Sequence, residues 1–155
     1  MKMMNDNHQY IPTDQKRAPD FQLVIPSLLE RLSKVEQMTE EFADRYHLPD
    51  DDRDNLAIAI TELANNAIIH GNKFDIAKNV VISFYFDNDV ISVYIKDYGT
   101  GFDPSNIGNP LEPENLLKES GRGIFILRSI MDNVEFRVTG SGTEVKITKT
   151  IKHTS

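Results

Sequence analysis

The sequence contains no cysteine and no apolar run near the length of about 20 residues that a membrane-spanning helix needs. Residues 1–19 carry polar and charged residues where a secretory signal would need an apolar stretch. These absences predict a cytoplasmic protein. Basic residues are outnumbered by acidic ones, and the net charge of −7 opposes broad attraction to nucleic acid or anionic lipid. We therefore expect no direct binding of nucleic acid or membrane, and any phosphate must be bound by a local site.

The length of 155 residues suits one compact domain and is too short for two ordinary ones. The composition, with 39% hydrophobic and 26% charged residues, is typical of a globular protein. Residues 1–19 have neither a helical nor a strand period and end in Pro19. We therefore predict a flexible N-terminal arm over residues 1–19 and a folded domain over residues 20–155.

The first half of the domain has the pattern of one strand and two helices. The segment FQLVI predicts a short strand, and the apolar residues after it keep helical spacing up to Pro49. A second helix, capped by Asp50 or Asp51, is predicted to run to about His70. Gly71 then stands at the position where a glycine commonly ends a helix.

The second half of the domain predicts four strands and one helix. VVISFYF and VISVYIK form a hairpin around residues 87–89, and VEFRVTG and EVKITKTI form another around residues 140–142. Between the hairpins lies a loop over residues 98–120, long enough to be functional, and a helix over residues 121–132. The order of elements predicts an α+β fold: a two-layer sandwich with a mixed, mostly antiparallel sheet and about three helices on one face.

The second helix carries three polar residues spaced four apart, Glu62, Asn66 and His70, which lie on one face beside the apolar pair Leu63 and Ala67. The Asn66 oxygen suits Mg²⁺ when phosphates supply the negative charge. Glu62 is placed to accept a proton from a hydroxyl that attacks a γ-phosphate. The alternative is a solvated polar face whose terminal histidine favours the helix dipole.

Asp97 follows the strand VISVYIK, and the period of two places it on the same face as three apolar strand residues. An inward carboxylate needs a hydrogen-bond donor, which the exocyclic amine of adenine provides. Gly99 and Gly101 let the backbone approach a flat ring closely. The alternative is a turn whose aspartate accepts backbone N–H bonds.

Two further motifs suit phosphate. Gly121, Arg122 and Gly123 precede a helix, where exposed N–H groups and the dipole favour an anion. Gly142 and Thr143 begin the last strand and offer a hydroxyl and a backbone amide to the phosphates or the adenine. Each motif also has an ordinary explanation, because glycine commonly precedes a helix and commonly completes a hairpin.

The order and spacing of these four motifs resemble the asparagine box and the three glycine boxes of the GHKL superfamily, which gyrase-type ATPases and sensor histidine kinases share. The resemblance covers about residues 21–151. The segments TELANNAIIHGN and GRGIFILRSIMDNVEF are most similar to the small anti-sigma-factor serine kinases of bacterial partner switching, the RsbW-like and SpoIIAB-like proteins. The resemblance implies the Bergerat ATP-binding fold, with ATP and Mg²⁺ as ligands.

The family's roles fall on matching positions: Glu62 would be the catalytic base, Asn66 would hold Mg²⁺ and Asp97 would bind adenine. Such kinases phosphorylate a serine on a small anti-anti-sigma partner of the STAS type, sequester a sigma factor, and commonly form homodimers. A separate phosphoacceptor helix pair or a transducer domain does not fit in 155 residues, which favours the kinase over the other GHKL classes.

This chain departs from some of these kinases at Glu119, where they have an arginine near the γ-phosphate, and Arg122 is the candidate substitute. The departure keeps a second hypothesis open: a nucleotide-binding switch that sequesters a partner and transfers little or no phosphate. A third is a small α+β domain whose motifs are coincidental.

Overall fold

The computed structural model describes residues 10–99 and 121–152, without the side chains of residues 121–124. The described part contains five strands, three α-helices, a 3₁₀ turn and a π-helical turn. Their bounds are β1 Phe21–Pro26, a 3₁₀ turn Leu29–Arg31, α1 Leu32–Arg45, α2 Asp50–Asn66, a π-helical turn Ala67–Gly71, β2 Asn79–Asp87, β3 Val90–Lys96, α3 Gly121–Ile130, β4 Asn133–Thr139 and β5 Gly142–Thr150.

The five described strands form one sheet in the order β1-β2-β3-β5-β4, and every neighbouring pair is antiparallel. Asn88 and Asp89 connect β2 to β3 with φ of 51° and 63°, the left-handed values of a two-residue hairpin turn. The last strand, β5, lies inside the sheet between β3 and β4. The predicted α+β fold is confirmed, and the described sheet is antiparallel throughout.

One face of the sheet packs against the helices and forms the core. Alternate residues of β2 and β3 point to that face, as the pleat requires, and meet the apolar sides of α1 and α2. At its centre the fully buried Phe42 ring lies 5.1 Å from the Phe84 ring and 5.0 Å from the Tyr46 ring. The buried residues that line this interface are Val80, Ile82, Phe84, Ile91, Val93, Ile95, Val35, Phe42, Leu56, Ile60 and Leu63.

The start of α2 differs from the prediction. The N-cap residue is Pro49, and no side chain caps the helix. Asp50, Asp51 and Asp52 instead occupy its first turn, where their charges favour the positive end of the helix dipole. The prediction that Asp50 or Asp51 caps the helix was therefore wrong, although the boundary itself was correct.

The end of α2 also differs in detail. The helix widens into the π-helical turn Ala67–Gly71, a distortion that often marks a functional site. The helical segment ends at Gly71, as predicted, but Gly71 does not adopt the left-handed conformation that is common for a glycine in this position. The left-handed residues are Lys73 and Phe74, with φ of 52° and 61°. A glycine is needed at position 71 because a β-carbon there would collide with the Asp97 carboxylate.

The outer face of the sheet is contacted by residues 10–18. The Tyr10 hydroxyl donates a hydrogen bond of 2.6 Å to the carboxylate of Glu144, a β5 residue that is 1% exposed. Burial by itself would raise the pKa of Asp14, but hydrogen bonds from Arg137, Lys146 and Tyr94 outweigh it and lower that pKa to about 2. Sequence reasoning assigned no contacts to this segment. The division between arm and domain at residue 19 stays a prediction, and residues 1–9 lie outside the described part.

Tyr10→Phe tests the contribution of this contact to stability. Loss of the hydroxyl leaves the buried Glu144 carboxylate with one hydrogen bond fewer, and an unsatisfied buried group of this kind costs about 1–3 kcal/mol. We expect the free energy of unfolding in urea to fall by that amount. Tyr46→Phe is the matched control, because the Tyr46 hydroxyl makes no hydrogen bond among the described residues, and an equal loss in both variants would contradict the assignment.

Candidate functional site

The Glu62–Asn66 pair lies one helical turn apart on α2. The Asn66 amide nitrogen donates a hydrogen bond of 3.1 Å to Glu62 Oε2, and Asn66 is only 5% exposed. Its neighbours Leu63 and Ala67 belong to the core, so the pair stands at the border between the core and the polar side of the helix. The hydrogen bond to Glu62 distinguishes Asn66 from the adjacent Asn65, in agreement with the spacing.

Asp97 directly follows β3 and is 7% exposed. Its Oδ1 accepts hydrogen bonds from the backbone amides of Gly99, at 3.0 Å, and Thr143, at 3.3 Å. Its Oδ2 accepts none from the described residues. Burial raises the pKa of Asp97, while the two amide bonds and the Lys96 charge act in the opposite direction. Asp97 therefore points inward, as predicted, and also makes the turn-type hydrogen bond to Gly99 that was the alternative. Oδ1 makes that bond, and Oδ2 is the oxygen that stays without one from the described residues.

Three glycines allow close packing around Asp97: Gly71 and Gly99 bring the π-helical turn against the end of β3, and Gly142 brings the start of β5 against it. A β-carbon at Gly71 would collide with Asp97 Oδ2, and one at Gly99 would collide with the Gly71 carbonyl oxygen. A β-carbon at Gly142 would collide with the Asp97 carbonyl oxygen, and its φ of 150° is itself unfavourable for other residues. The helix that carries Glu62 and Asn66 is therefore in direct contact with the Asp97 carboxylate.

Lys96 holds the other side of this turn and was missed by sequence reasoning. It is 2% exposed on the outer face, and its Nζ donates to the Asp97 carbonyl oxygen at 2.8 Å and to Ser141 Oγ at 3.1 Å. The ammonium also lies 3.9 Å from the centre of the Tyr98 ring, and burial lowers its pKa. A charged residue that ends an apolar strand was the available signal.

The other predicted residues are only partly described. Helix α3 begins at Gly121, as expected, and includes Gly123, but the Arg122 side chain is not described, and Gly101 lies outside the described residues. Thr143 is brought to the site by its backbone, whose amide donates to Asp97 Oδ1 and whose carbonyl accepts from the Asp97 amide at 2.9 Å.

The side chains at this site suit a hard cation that binds together with an anionic ligand such as phosphate. Among residues 10–99 and 121–152, no cluster of three or more histidine, aspartate or glutamate side chains is arranged to hold a metal. A Mg²⁺ ion here would take one or two protein ligands and complete its shell with phosphate oxygens and water, which is how this ion usually binds beside nucleotides. The buried Asn66 amide, oriented through Glu62, fits that requirement.

Within the described residues, no helix has the length and apolar character to cross a bilayer.

The fold and the site together define the class of protein. Residues 25–149 match the family described as the histidine kinase-like ATPase domain, and this chain belongs to that family. It is similar to the serine-protein kinase RsbW of Staphylococcus aureus, with 31% identity over 147 residues that span 89% of this chain and 91% of the relative. RsbW of Bacillus licheniformis is 29% identical over 142 residues, which span 86% and 88% of the two chains.

A solved structure shares the fold. The crystal structure of the RsbU and RsbW domains of a Mycobacterium tuberculosis protein superimposes with a TM-score of 0.65 at 16% identity, covering 91% of this chain and 35% of that one. The present chain thus spans about a third of that solved protein. The predicted resemblance to the GHKL superfamily and its RsbW-type anti-sigma-factor kinases is confirmed.

Proposed function

We propose that this chain binds Mg·ATP, transfers the γ-phosphate to a serine of a STAS-type anti-anti-sigma partner, and sequesters a sigma factor when that partner is absent. The observation that carries the proposal is the contact between the buried Asp97 carboxylate and the end of the helix that presents Glu62 and Asn66. The names of the relatives, serine-protein kinases of the RsbW type, support the same function.

Asp97 is the proposed adenine-binding residue. Its Oδ1 is already engaged by the amides of Gly99 and Thr143, which leaves Oδ2 to accept the exocyclic amine of the base. A carboxylate acceptor gives a stronger hydrogen bond than a neutral one, and burial excludes competing water. Gly71, Gly99 and Gly142 let the π-helical turn, β3 and β5 pack closely around Asp97 and hold its carboxylate in place.

Asn66 and Glu62 are the proposed metal-binding and catalytic residues. Asn66 would offer its amide oxygen to Mg²⁺, whose charge neutralises the phosphates during transfer. Glu62 accepts the proton of the attacking serine hydroxyl. The serine oxygen then bonds to the γ-phosphorus as the bond to the bridging oxygen of ADP breaks, so ADP leaves and the proton stays on Glu62 until solvent removes it. The N-terminus of α3, at residues 121–123, is the proposed phosphate-binding element.

The experiment that tests this function uses the full chain with ATP labelled at the γ-phosphate and a candidate STAS-type partner. We expect saturable ATP binding by calorimetry and label on a partner serine. Binding without label on any plausible partner favours the nucleotide-binding switch instead. A chain that does not bind ATP at millimolar concentration contradicts both functions. Sedimentation of the same samples tests whether this chain forms the homodimer that the family resemblance implies.

Gly71→Ala tests the contact between the helix and the Asp97 carboxylate. The added methyl group meets Asp97 Oδ2, so the carboxylate has to leave the position in which it would bind adenine. We expect ATP affinity to fall by about tenfold or more, the loss of one charged hydrogen bond. Gly140→Ala is the matched control, because a β-carbon at residue 140 meets nothing within 4 Å. The ATP affinity of this variant should equal that of the wild type. Equal affinity in the two variants would contradict the proposed role of Oδ2.

A further inference from the structure

Asn72 is a buried polar residue at the junction of three elements. It is 2% exposed and follows the π-helical turn directly. Its Nδ2 donates to Ser27 Oγ at 2.9 Å and to the Asn79 carbonyl oxygen at 3.1 Å, while its Oδ1 accepts from the Tyr98 amide at 2.9 Å. The partners fix the orientation of the amide, because Tyr98 presents an N–H group and Asn79 presents an oxygen.

The backbone of Asn72 is equally engaged. Its amide donates to the Ala67 carbonyl oxygen at 2.8 Å, across the π-helical turn, and its carbonyl accepts from the Asp75 amide at 2.9 Å. The next two residues, Lys73 and Phe74, are held in the left-handed region, which is costly for a side chain as bulky as phenylalanine. Such a conformation persists only where surrounding contacts fix it, and two backbone hydrogen bonds of 2.9 Å do so here: the Phe74 amide donates to the Ile68 carbonyl oxygen, and the Asp75 amide donates to the Asn72 carbonyl oxygen.

The bond to Tyr98 is the one that reaches the site. Tyr98 lies between Asp97 and Gly99, within the turn whose amides hold Asp97 Oδ1. Asn72 therefore connects the end of the helix bearing Asn66 to the turn bearing Asp97 with a single side chain. The other three hydrogen bonds of the side-chain amide go to Ser27 after β1 and to the carbonyl oxygens of Lys78 and Asn79 at the start of β2, so they anchor Asn72 to the sheet.

We propose that Asn72 is a positioning residue that fixes Asp97 Oδ2 against the base and thereby sets the preference for adenine over guanine. The proposal rests on the proposed function, since it assumes that Asp97 accepts the adenine amine. Guanine presents a carbonyl oxygen where adenine presents that amine, so a fixed carboxylate repels guanine as well as attracting adenine. A carboxylate that is free to turn away discriminates less.

The test compares ATP and GTP binding by calorimetry in the full chain and in Asn72→Ala. We expect the variant to bind ATP about tenfold more weakly and GTP nearly unchanged, so the preference for ATP shrinks by about the same factor. Exchange of the Tyr98 amide hydrogen, followed by NMR, should become faster. Asn72→Ser, which keeps a small hydroxyl but cannot reach Tyr98, should behave in the same way and replaces Asn72→Ala if the latter does not fold.

Ser27→Ala is the matched control. It removes the Ser27 hydroxyl, a buried partner of the Asn72 amide, and leaves the bond to Tyr98 in place. We expect it to lower the melting temperature while keeping the nucleotide preference. A preference unchanged in the Asn72 variants, or lost equally in Ser27→Ala, overturns the positioning role. A wild-type chain that binds neither nucleotide overturns the proposed function, so the two failures are distinguishable.

Discussion

Asp97→Asn is expected to lower ATP affinity by about a hundredfold or more, because it replaces a charged acceptor with a donor at the base. The amides of Gly99 and Thr143 require an oxygen at Oδ1, so the new amide nitrogen must take the place of Oδ2. A donor then faces the donor amine of adenine. Isothermal calorimetry with ATP measures the loss, and affinity equal to that of the wild type would refute the assignment.

The same substitution is expected to leave the protein folded and to raise its melting temperature at neutral pH. Burial raises the pKa of Asp97, so the ionised carboxylate opposes folding. That cost is absent well below the ordinary pKa of an aspartate, grows as the pH rises toward the raised pKa, and is complete above it. The stability gain of Asp97→Asn should therefore be present at pH 7 and vanish in acid. Asp87→Asn, at the exposed end of β2, is the control and should change neither property.

Glu62→Gln is expected to separate binding from transfer. Glutamine keeps an oxygen for the Asn66 amide, so the local geometry and the ATP affinity should change little. It is a poor proton acceptor, so transfer to the partner serine should fall by about a hundredfold or more, a magnitude typical of general-base catalysis. The measurement is the initial rate of partner labelling at saturating ATP.

The control for this variant is Glu36→Gln, on the exposed side of α1, which should transfer phosphate at the wild-type rate. If Glu62→Gln also transfers at that rate, Glu62 serves only to orient Asn66. If it loses ATP binding together with transfer, its role lies in the metal site and the base must be sought elsewhere.

The elements of this fold were predictable because their signals are local. The period of two in VISVYIK correctly placed Asp97 on the core side, and the spacing of four correctly placed Glu62 beside Asn66. The N-cap of α2 was not predictable, because the sequence of Pro49 and the aspartates after it fits a proline cap as well as an aspartate cap. Hydrophobic period and secondary-structure propensity depend on residues that are close in sequence. They therefore predict individual helices and strands.

The residues that sequence reasoning missed are those whose partners are distant in sequence. Asn72 bonds Ser27, 45 residues away, and Tyr98, 26 residues away. Tyr10 bonds Glu144 across 134 residues. No local pattern announces such contacts, because an asparagine after a helix and a tyrosine in a polar arm are ordinary in themselves. Their roles depend on how the sheet brings remote segments together.

β5, the last strand among the described residues, lies in the interior of the sheet, and this affects how the sheet forms during synthesis. β5 lies between β3 and β4. In a chain that is still being synthesised, β4 therefore cannot join the sheet until residues 142–150 have left the ribosome. The hydrogen bonds of the Asp97 carboxylate are also incomplete until then, because the Thr143 amide belongs to β5. A chain that stops before β5 therefore lacks both the strand that joins β3 to β4 and one of the two amide donors to Asp97 Oδ1.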